Sequence, residues 1–168
     1  MEGSVTKIIS YEGGLIVLAT WGMQFLSHND DCSRAVFAAL NIKKHLTQYQ
    51  LDCSFDSENS ADPPVHIGIA TGNIFQVVIG DYARREVIGI GPAVERAMLL
   101  MECAQVHYGK IYVDALTKQE ACHEINFSYV EHLEISSKVL NEAIYQPQST
   151  EGLEDSVIAE YDDLNMEL

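Results

Sequence analysis

The chain has 168 residues, 47% of them apolar, which predicts one domain with a real core followed by a tail. A formal net charge of −15 argues against nucleic acid and against an anionic membrane surface as partners. No apolar run has the length to span a bilayer, no signal-peptide pattern opens the sequence, and Cys32, Cys53, Cys103 and Cys122 form no C-x-x-C, so reduced thiols in the cytoplasm are the expectation.

Residues 7–11 (KIISY) are a short β-prone run, and Glu12-Gly13-Gly14 makes a turn. Residues 15–21 (LIVLATW) are nearly all apolar, the pattern of a strand covered on both faces. The two together predict a hairpin in the middle of a sheet. Asn29, Asp30 and Asp31 offer N-cap oxygens and a favourable charge for a helix running to about Tyr49. Its apolar stripe is Cys32, Ala35, Val36, Ala39, Ile42 and Leu46, with Lys43, Lys44 and His45 towards its C-terminal end. Residues 52–64 (DCSFDSENSADPP) are a polar loop whose two prolines favour an extended approach to the next strand.

Residues 66–101 organise the rest. Two apolar runs meet at Thr71-Gly72-Asn73, a turn rich in hairpin residues. A polar segment, 81–86, leads to a third strand-like run, 87–90. Gly91-Pro92 then opens a helix, because proline fits the first helical position. That helix is expected to bury Val94, Ala97, Met98 and Met101 and to stop at Gly109. Residues 110–113 (KIYV) read as a strand, Asp114 as the cap of a short helix to about Cys122, and 127–133 and 143–146 (AIYQ) as edge strands. Alternating strands and helices with hairpins among them imply an α+β fold, a mostly antiparallel sheet with helices packed on it. The sequence starts almost within a strand, which leaves room for a missing first strand. The expected division is a domain over 1–147 and an acidic tail over 148–168. Glu151, Glu154, Asp155, Glu160, Asp162, Asp163 and Glu167, with no Lys or Arg among them, give the tail −7 of the total charge.

These motifs resemble the class III nucleotide cyclase homology domain, and most closely its soluble adenylyl cyclase branch. The resemblance rests on His66-Ile67-Gly68-Ile69-Ala70-Thr71-Gly72, on Val77-Val78-Ile79-Gly80, on Arg84-Arg85-Glu86, on Val87-Ile88-Gly89-Ile90-Gly91 and on Pro92-Ala93-Val94. It extends to residues 14–22 (GLIVLATWG) ahead and 133–146 (LEISSKVLNEAIYQ) behind, and so covers roughly 7–146. It implies a ferredoxin-like β-α-β-β-α-β core that pairs head to tail with a second cyclase homology domain, as a homo- or heterodimer. It also implies conversion of ATP to cyclic AMP and pyrophosphate by two divalent ions on carboxylates, an orienting Asn and an Arg.

Carried over residue by residue, that machinery is not intact. The first metal-binding Asp belongs to an opening strand absent from the sequence. The second falls on Gly14 in one register and on Leu15 in another, and neither supplies a side-chain oxygen. The Asn becomes Glu95, and the Arg four residues later becomes Leu99. The base-reading Lys falls on Ser10 or, in the preferred register, on Lys7. The second base contact is Ile88. Nucleotide contacts are therefore expected at Lys7 and Ile88, with no intrinsic metal site and Mg with ATP only where a partner domain supplies ligands.

Plainer readings stand beside these. Lys7 is equally a solvated strand-end lysine, Glu95 a helix-dipole partner, Asp81 a turn residue, and the Met98–Met101 stripe core. Arg84 and Arg85 suit either an acidic partner or solvent. His28 with Cys32, and His107 with Cys103, lack a second pair at zinc spacing. Three functions remain: a degenerate cyclase homology domain that pairs structurally or as a regulator in cyclic AMP signalling, a partner-dependent half of a heterodimeric adenylate cyclase, or a ferredoxin-like binding module without nucleotide. An exposed apolar sheet face beside the 81–86 arm would mark a pairing surface.

Overall fold

A computed structural model describes residues 2–11, 14–23, 25–53, 65–107, 110–130, 134–135, 138–139 and 143–148. Thirteen elements follow one another: β1 (Ser4–Tyr11), β2 (Gly14–Thr20), α1 (Asp31–Cys53), β3 (Ile67–Ile69), β4 (Phe75–Gly80), β5 (Arg85–Ile90), α2 (Pro92–Val106), β6 (Ile111–Val113), α3 (Ala115–Ala121), β7 (Phe127–Val130), β8 (Glu134–Ile135), β9 (Lys138–Val139) and β10 (Ile144–Pro147). The class is α+β, helices on mixed and antiparallel sheets, as the motif order implies.

The core is the four-stranded sheet β3-β6-β10-β7. β3 runs parallel to β6, while β10 is antiparallel to both β6 and β7. Side chains alternate along these strands and so serve two faces. On one face Tyr112 and Ile144 pack against Leu100, Cys103 and Ala104 of α2. On the other, Val113 joins Val36 of α1, Ala121 of α3 and Ile125, with Tyr145 and Phe127 beside them. β10 is thus an interior strand rather than the expected edge, with Ile144 fully buried.

α2 reaches the sheet over Gly68. A Cβ there would overlap the Ala97 carbonyl oxygen and the Met101 amide nitrogen, so only glycine lets the helix seat this closely. The close approach also turns the helix. Ala93, Leu100, Cys103 and Ala104 are its buried residues, while Met98, expected in the core, is 48% exposed. Leu100, Cys103 and Ala104 thus turn onto the sheet, and Met98 is left at the flank. The helix ends at Val106 with His107 as its cap; Gly109, the expected stop, lies outside the described residues.

Three further expectations change. Thr71-Gly72-Asn73 does not close a hairpin, because β3 spends its hydrogen bonds on β6 and the turn instead hands the chain to β4. The hairpin is β4–β5, closed at Asp81–Arg84, where the Asp81 N–H donates to the Arg84 carbonyl at 3.0 Å. Among the described residues β2 is not covered on both faces: its strand partner there is β1, and Leu15 is 63% exposed. α1 runs to Cys53, and its stripe is buried through Ala39 only. Asp30 caps α1, its carbonyl accepting from the Arg34 N–H at 3.0 Å. The proposed tail and most of the 52–64 loop lie outside the described residues. No described helix is long and apolar enough to cross a membrane.

Candidate functional site

Two hairpins carry Lys7, Gly14, Leu15 and Ile88, and α2 carries Glu95 and Leu99. β1 and β2 pair from Ser4↔Thr20 to Tyr11↔Gly14, with an irregularity between Val5 and Lys7. β4 and β5 pair from Phe75↔Ile90 to Gly80↔Arg85. Lys7 on β1 makes an ion pair with Glu86 on β5, which ties the hairpins together. The Lys7 hydrogen bond, then its charge, holds the Glu86 carboxyl below the usual glutamate range, and Arg84 adds a smaller pull. Glu86 and Ile88 are two apart on β5 and share a face. Lys7 and Ile88, both expected to face a nucleotide, thus stand on neighbouring hairpins, Lys7 paired with Glu86 and Ile88 two residues along β5 from it. Ser10, the alternative to Lys7, lies opposite Leu15 and is exposed.

Between β4 and β5 lies the arm. The Asp81 carboxylate accepts from the N–H groups of Ala83 at 2.8 Å and Arg84 at 3.2 Å. Those two donors lower its pKa and make it the turn residue its position suggests. Tyr82 is fully exposed at the tip, with the Arg85 guanidinium 5.7 Å from its ring centre. Ile79, Gly80, Asp81, Arg84 and Glu86 line an open depression at the base of the arm.

The apolar residues around the arm are open. Every residue of β4 is exposed, Phe75, Val77, Val78 and Ile79 included. Val87 and Ile90 on β5, Val5, Ile8 and Ile9 on β1, and Leu15 and Val17 on β2 are exposed too. A monomer rarely presents this much contiguous apolar strand to water.

No protein-family model and no curated protein matches the chain in sequence. Solved structures do. The adenylyl cyclase CyaB from P. aeruginosa superposes with a TM-score of 0.69 at 18% identity, over 88% of this chain and 72% of that one. The guanylyl cyclase Cya2 gives 0.63 at 18% identity, over 86% and 69%. The guanylate cyclase domain of RhGC from Catenaria anguillulae, solved in complex with GTP, gives 0.64 at 18% identity, over 84% and 71%. The chain has the class III nucleotide cyclase fold.

Gly14 and Leu15 stand on β2 without a side-chain oxygen, and among the described residues no group of three His, Cys, Asp or Glu side chains is placed to hold a metal ion. Gly91 precedes α2 at φ 146°, with Pro92 in the first turn. A Cβ on Gly91 would lie 2.9 Å from the Asn73 carbonyl oxygen, so the cyclase-like glycine is needed for the chain to pass. Glu95 is exposed in the first turn, where its charge suits the helix dipole. Leu99, one turn on, is half-buried and carries no polar group.

One cluster in this cyclase fold was not legible beforehand. Asp114 is buried and does more than cap α3. Its carboxylate accepts from the Thr117 N–H at 2.8 Å, from the Thr71 N–H at 3.3 Å and from Arg96 Nη1 at 3.3 Å. The Thr71 and Thr117 hydroxyls meet at 2.8 Å, and Cys32 Sγ lies 3.3 Å from Thr71 Oγ1. Burial pushes the Cys32 thiol pKa up, as it does that of Cys103. The cluster joins the C-terminal ends of β3 and β6 to the starts of α1, α2 and α3. A polar residue directly after each of two apolar runs was its only sequence signal. His28 faces Glu2 and Asp31, not Cys32.

Proposed function

We propose that this chain is a degenerate adenylate/guanylate cyclase homology domain whose task is to pair with a second such domain, structurally or as a regulator, in cyclic AMP signalling. The observation that carries the reading is the open apolar surface of β1–β2 and β4–β5 around the arm bearing Arg84 and Arg85; the positions that the family resemblance assigns to catalysis, Gly14 or Leu15, Glu95 and Leu99, agree with it. A stable pairing interface buries about 1,600 Å² with an apolar centre and a polar rim, and this surface has both. Arg84 and Arg85 sit at the rim, where they select an acidic neighbour. The reading is of a cytoplasmic domain, the compartment where unpaired thiols such as Cys103 persist.

A second reading is supported by the Lys7–Glu86 ion pair, which holds Lys7 beside the strand that carries Ile88. In it the chain is the partner-dependent half of a heterodimeric adenylate cyclase, converting ATP to cyclic AMP and pyrophosphate, with Mg and the arginine supplied by the other half.

Sedimentation equilibrium of the purified chain, with and without ATP and Mg, and with a catalytic-type cyclase domain, tests both. Self-association or complex formation without cyclic AMP supports the first. Cyclic AMP produced only in the mixture, and lost in Lys7→Ala, supports the second. A monomer at high concentration that ignores both nucleotide and partner rejects them together.

A further inference from the structure

The turn between β4 and β5 fixes which way the main chain of β4 points. The Asp81 N–H donates to the Arg84 carbonyl at 3.0 Å, so Asp81 and Arg84 are a hydrogen-bonded pair. Opposed residues in an antiparallel ladder alternate between bonded and non-bonded pairs. Gly80↔Arg85, Val78↔Val87 and Gln76↔Gly89 are therefore the non-bonded pairs. The N–H and C=O groups of Gln76, Val78 and Gly80 point away from β5, along the outer edge of β4. Among the described residues no strand pairs with that edge.

Soluble proteins defend an exposed edge with charge, proline, a bulge, short length or cover. β1 has Lys7 and an irregularity between Val5 and Lys7. β2 is half-buried from Leu18 onward, and β3 has three residues only. β4 has none of these defences. Residues 75–80 (FQVVIG) contain no charge and no proline, the ladder to β5 runs without a shift, and every residue is exposed.

The strand that fits this edge is a copy of itself. A two-fold axis at Val78 sets Val78 opposite Val78 and Gln76 opposite Gly80 in an antiparallel pair. These are the residues whose main chain points outward, so each opposed pair exchanges both of its hydrogen bonds. Between them Val77 stands beside Ile79 of the other copy, at the closer of the two cross-strand spacings. A slip of one residue opposes Val78 to Val77, whose main-chain groups are spent on β5, and the ladder is lost. Charge agrees with this register. The chain carries −15, which opposes self-association in general, yet no charged residue lies along the contact. Asp81 falls opposite Phe75, and the two Asp81 residues stand about 20 Å apart, beyond the screening length at physiological salt.

We propose that a second copy of this chain adds to the outer edge of β4, β4 against β4 and antiparallel about Val78, giving a four-stranded β5-β4-β4-β5 sheet across the dimer. The proposal rests on the reading that the hairpins pair, and it adds the partner and the register.

Amide exchange followed by NMR at low and high protein concentration tests it. Association slows exchange at Gln76, Val78 and Gly80 at least tenfold, and changes Val77 and Ile79, already bonded within the hairpin, far less. Val78→Pro removes an outward N–H that the hairpin does not use, a change that an edge strand tolerates, and weakens self-association at least tenfold. Val78→Cys, directly opposite its own copy, gives a cross-linked dimer under oxidised glutathione. Gln76→Cys, about 14 Å from its own copy, does not. Self-association untouched by Val78→Pro, or equal cross-linking at the two cysteines, overturns the edge contact. A wild type that stays monomeric at every concentration yet binds a catalytic-type cyclase domain overturns the second copy as occupant and leaves the proposed function standing. A monomer that binds neither overturns both.

Discussion

β6 and β4 are both apolar strands, yet their surroundings are opposite. Ile111, Tyr112 and Val113 on β6 are all buried, between α2 on one face and α1 with α3 on the other. Phe75, Val77, Val78 and Ile79 on β4 are all exposed. Apolar side chains drive both segments towards burial. For β6 the cover comes from its own chain; for β4 the described residues supply β5 alone as a strand partner. An apolar run therefore identifies a strand without identifying what covers it, and the uncovered one lies on the surface proposed for pairing.

The largest test of the covered side is Gly68→Ala. The added methyl meets backbone of α2, which cannot yield as a flexible side chain would. A loss of about 3 kcal/mol or more in urea unfolding is expected. A loss near zero would mean that α2 does not seat on β3. Next is Asp114→Ala, which leaves the N–H groups of Thr71 and Thr117 and the Arg96 guanidinium short of an acceptor. About 2–3 kcal/mol is expected. Asp114→Asn keeps one acceptor oxygen for the cap and should cost about 1 kcal/mol. Equal losses for the two would show that the Arg96 charge, not the cap, holds the cluster.

Element types were legible because periodicity and punctuation agreed. Gly91-Pro92 opened α2, Asp114 capped α3, and the cyclase-like order from His66 to Met101 fixed the family of fold. Partners in the sheet were not legible. Thr71-Gly72-Asn73 is good hairpin chemistry, but β3 was claimed by β6, more than forty residues later in the sequence, and no local signal reports that pairing. The face of α2 was misread for a related reason. Hydrophobicity favoured Met98, whereas the contact was set by the backbone of Ala97 to Met101 seating over Gly68, with Leu100, Cys103 and Ala104 turned inward. Of the site, Lys7, Glu95, Ile88 and Leu99 were placed on the expected elements, but Glu86 as the partner of Lys7 was invisible, since nothing on β5 announces β1.

On the uncovered side the effects on folding should be small and those on association large. Val78→Asp or Leu15→Asp removes apolar surface that the monomer already exposes. Urea stability should stay within about 0.5 kcal/mol. Pairing should weaken at least about tenfold, because an unpaired carboxylate at the centre of an interface must be desolvated. Destabilised monomer with unchanged association would reverse the roles of the two regions.

The smallest effect belongs to the Lys7–Glu86 tie between the hairpins. The Glu86 carboxyl is held below its ordinary range chiefly by the Lys7 hydrogen bond, so folding favours its ionised form. The contribution is fully present above the ordinary glutamate pKa and disappears as pH falls through the lowered folded value. Urea midpoints of wild type and Glu86→Gln should therefore differ at neutral pH and converge in acid. High salt at neutral pH should narrow the gap as well, since both side chains are partly open to solvent. A gap that persists in acid would mean that Glu86 acts by packing and not by charge. The two hairpins would then be joined as the core is, and the contrast between the covered and uncovered strands would lose its electrostatic half.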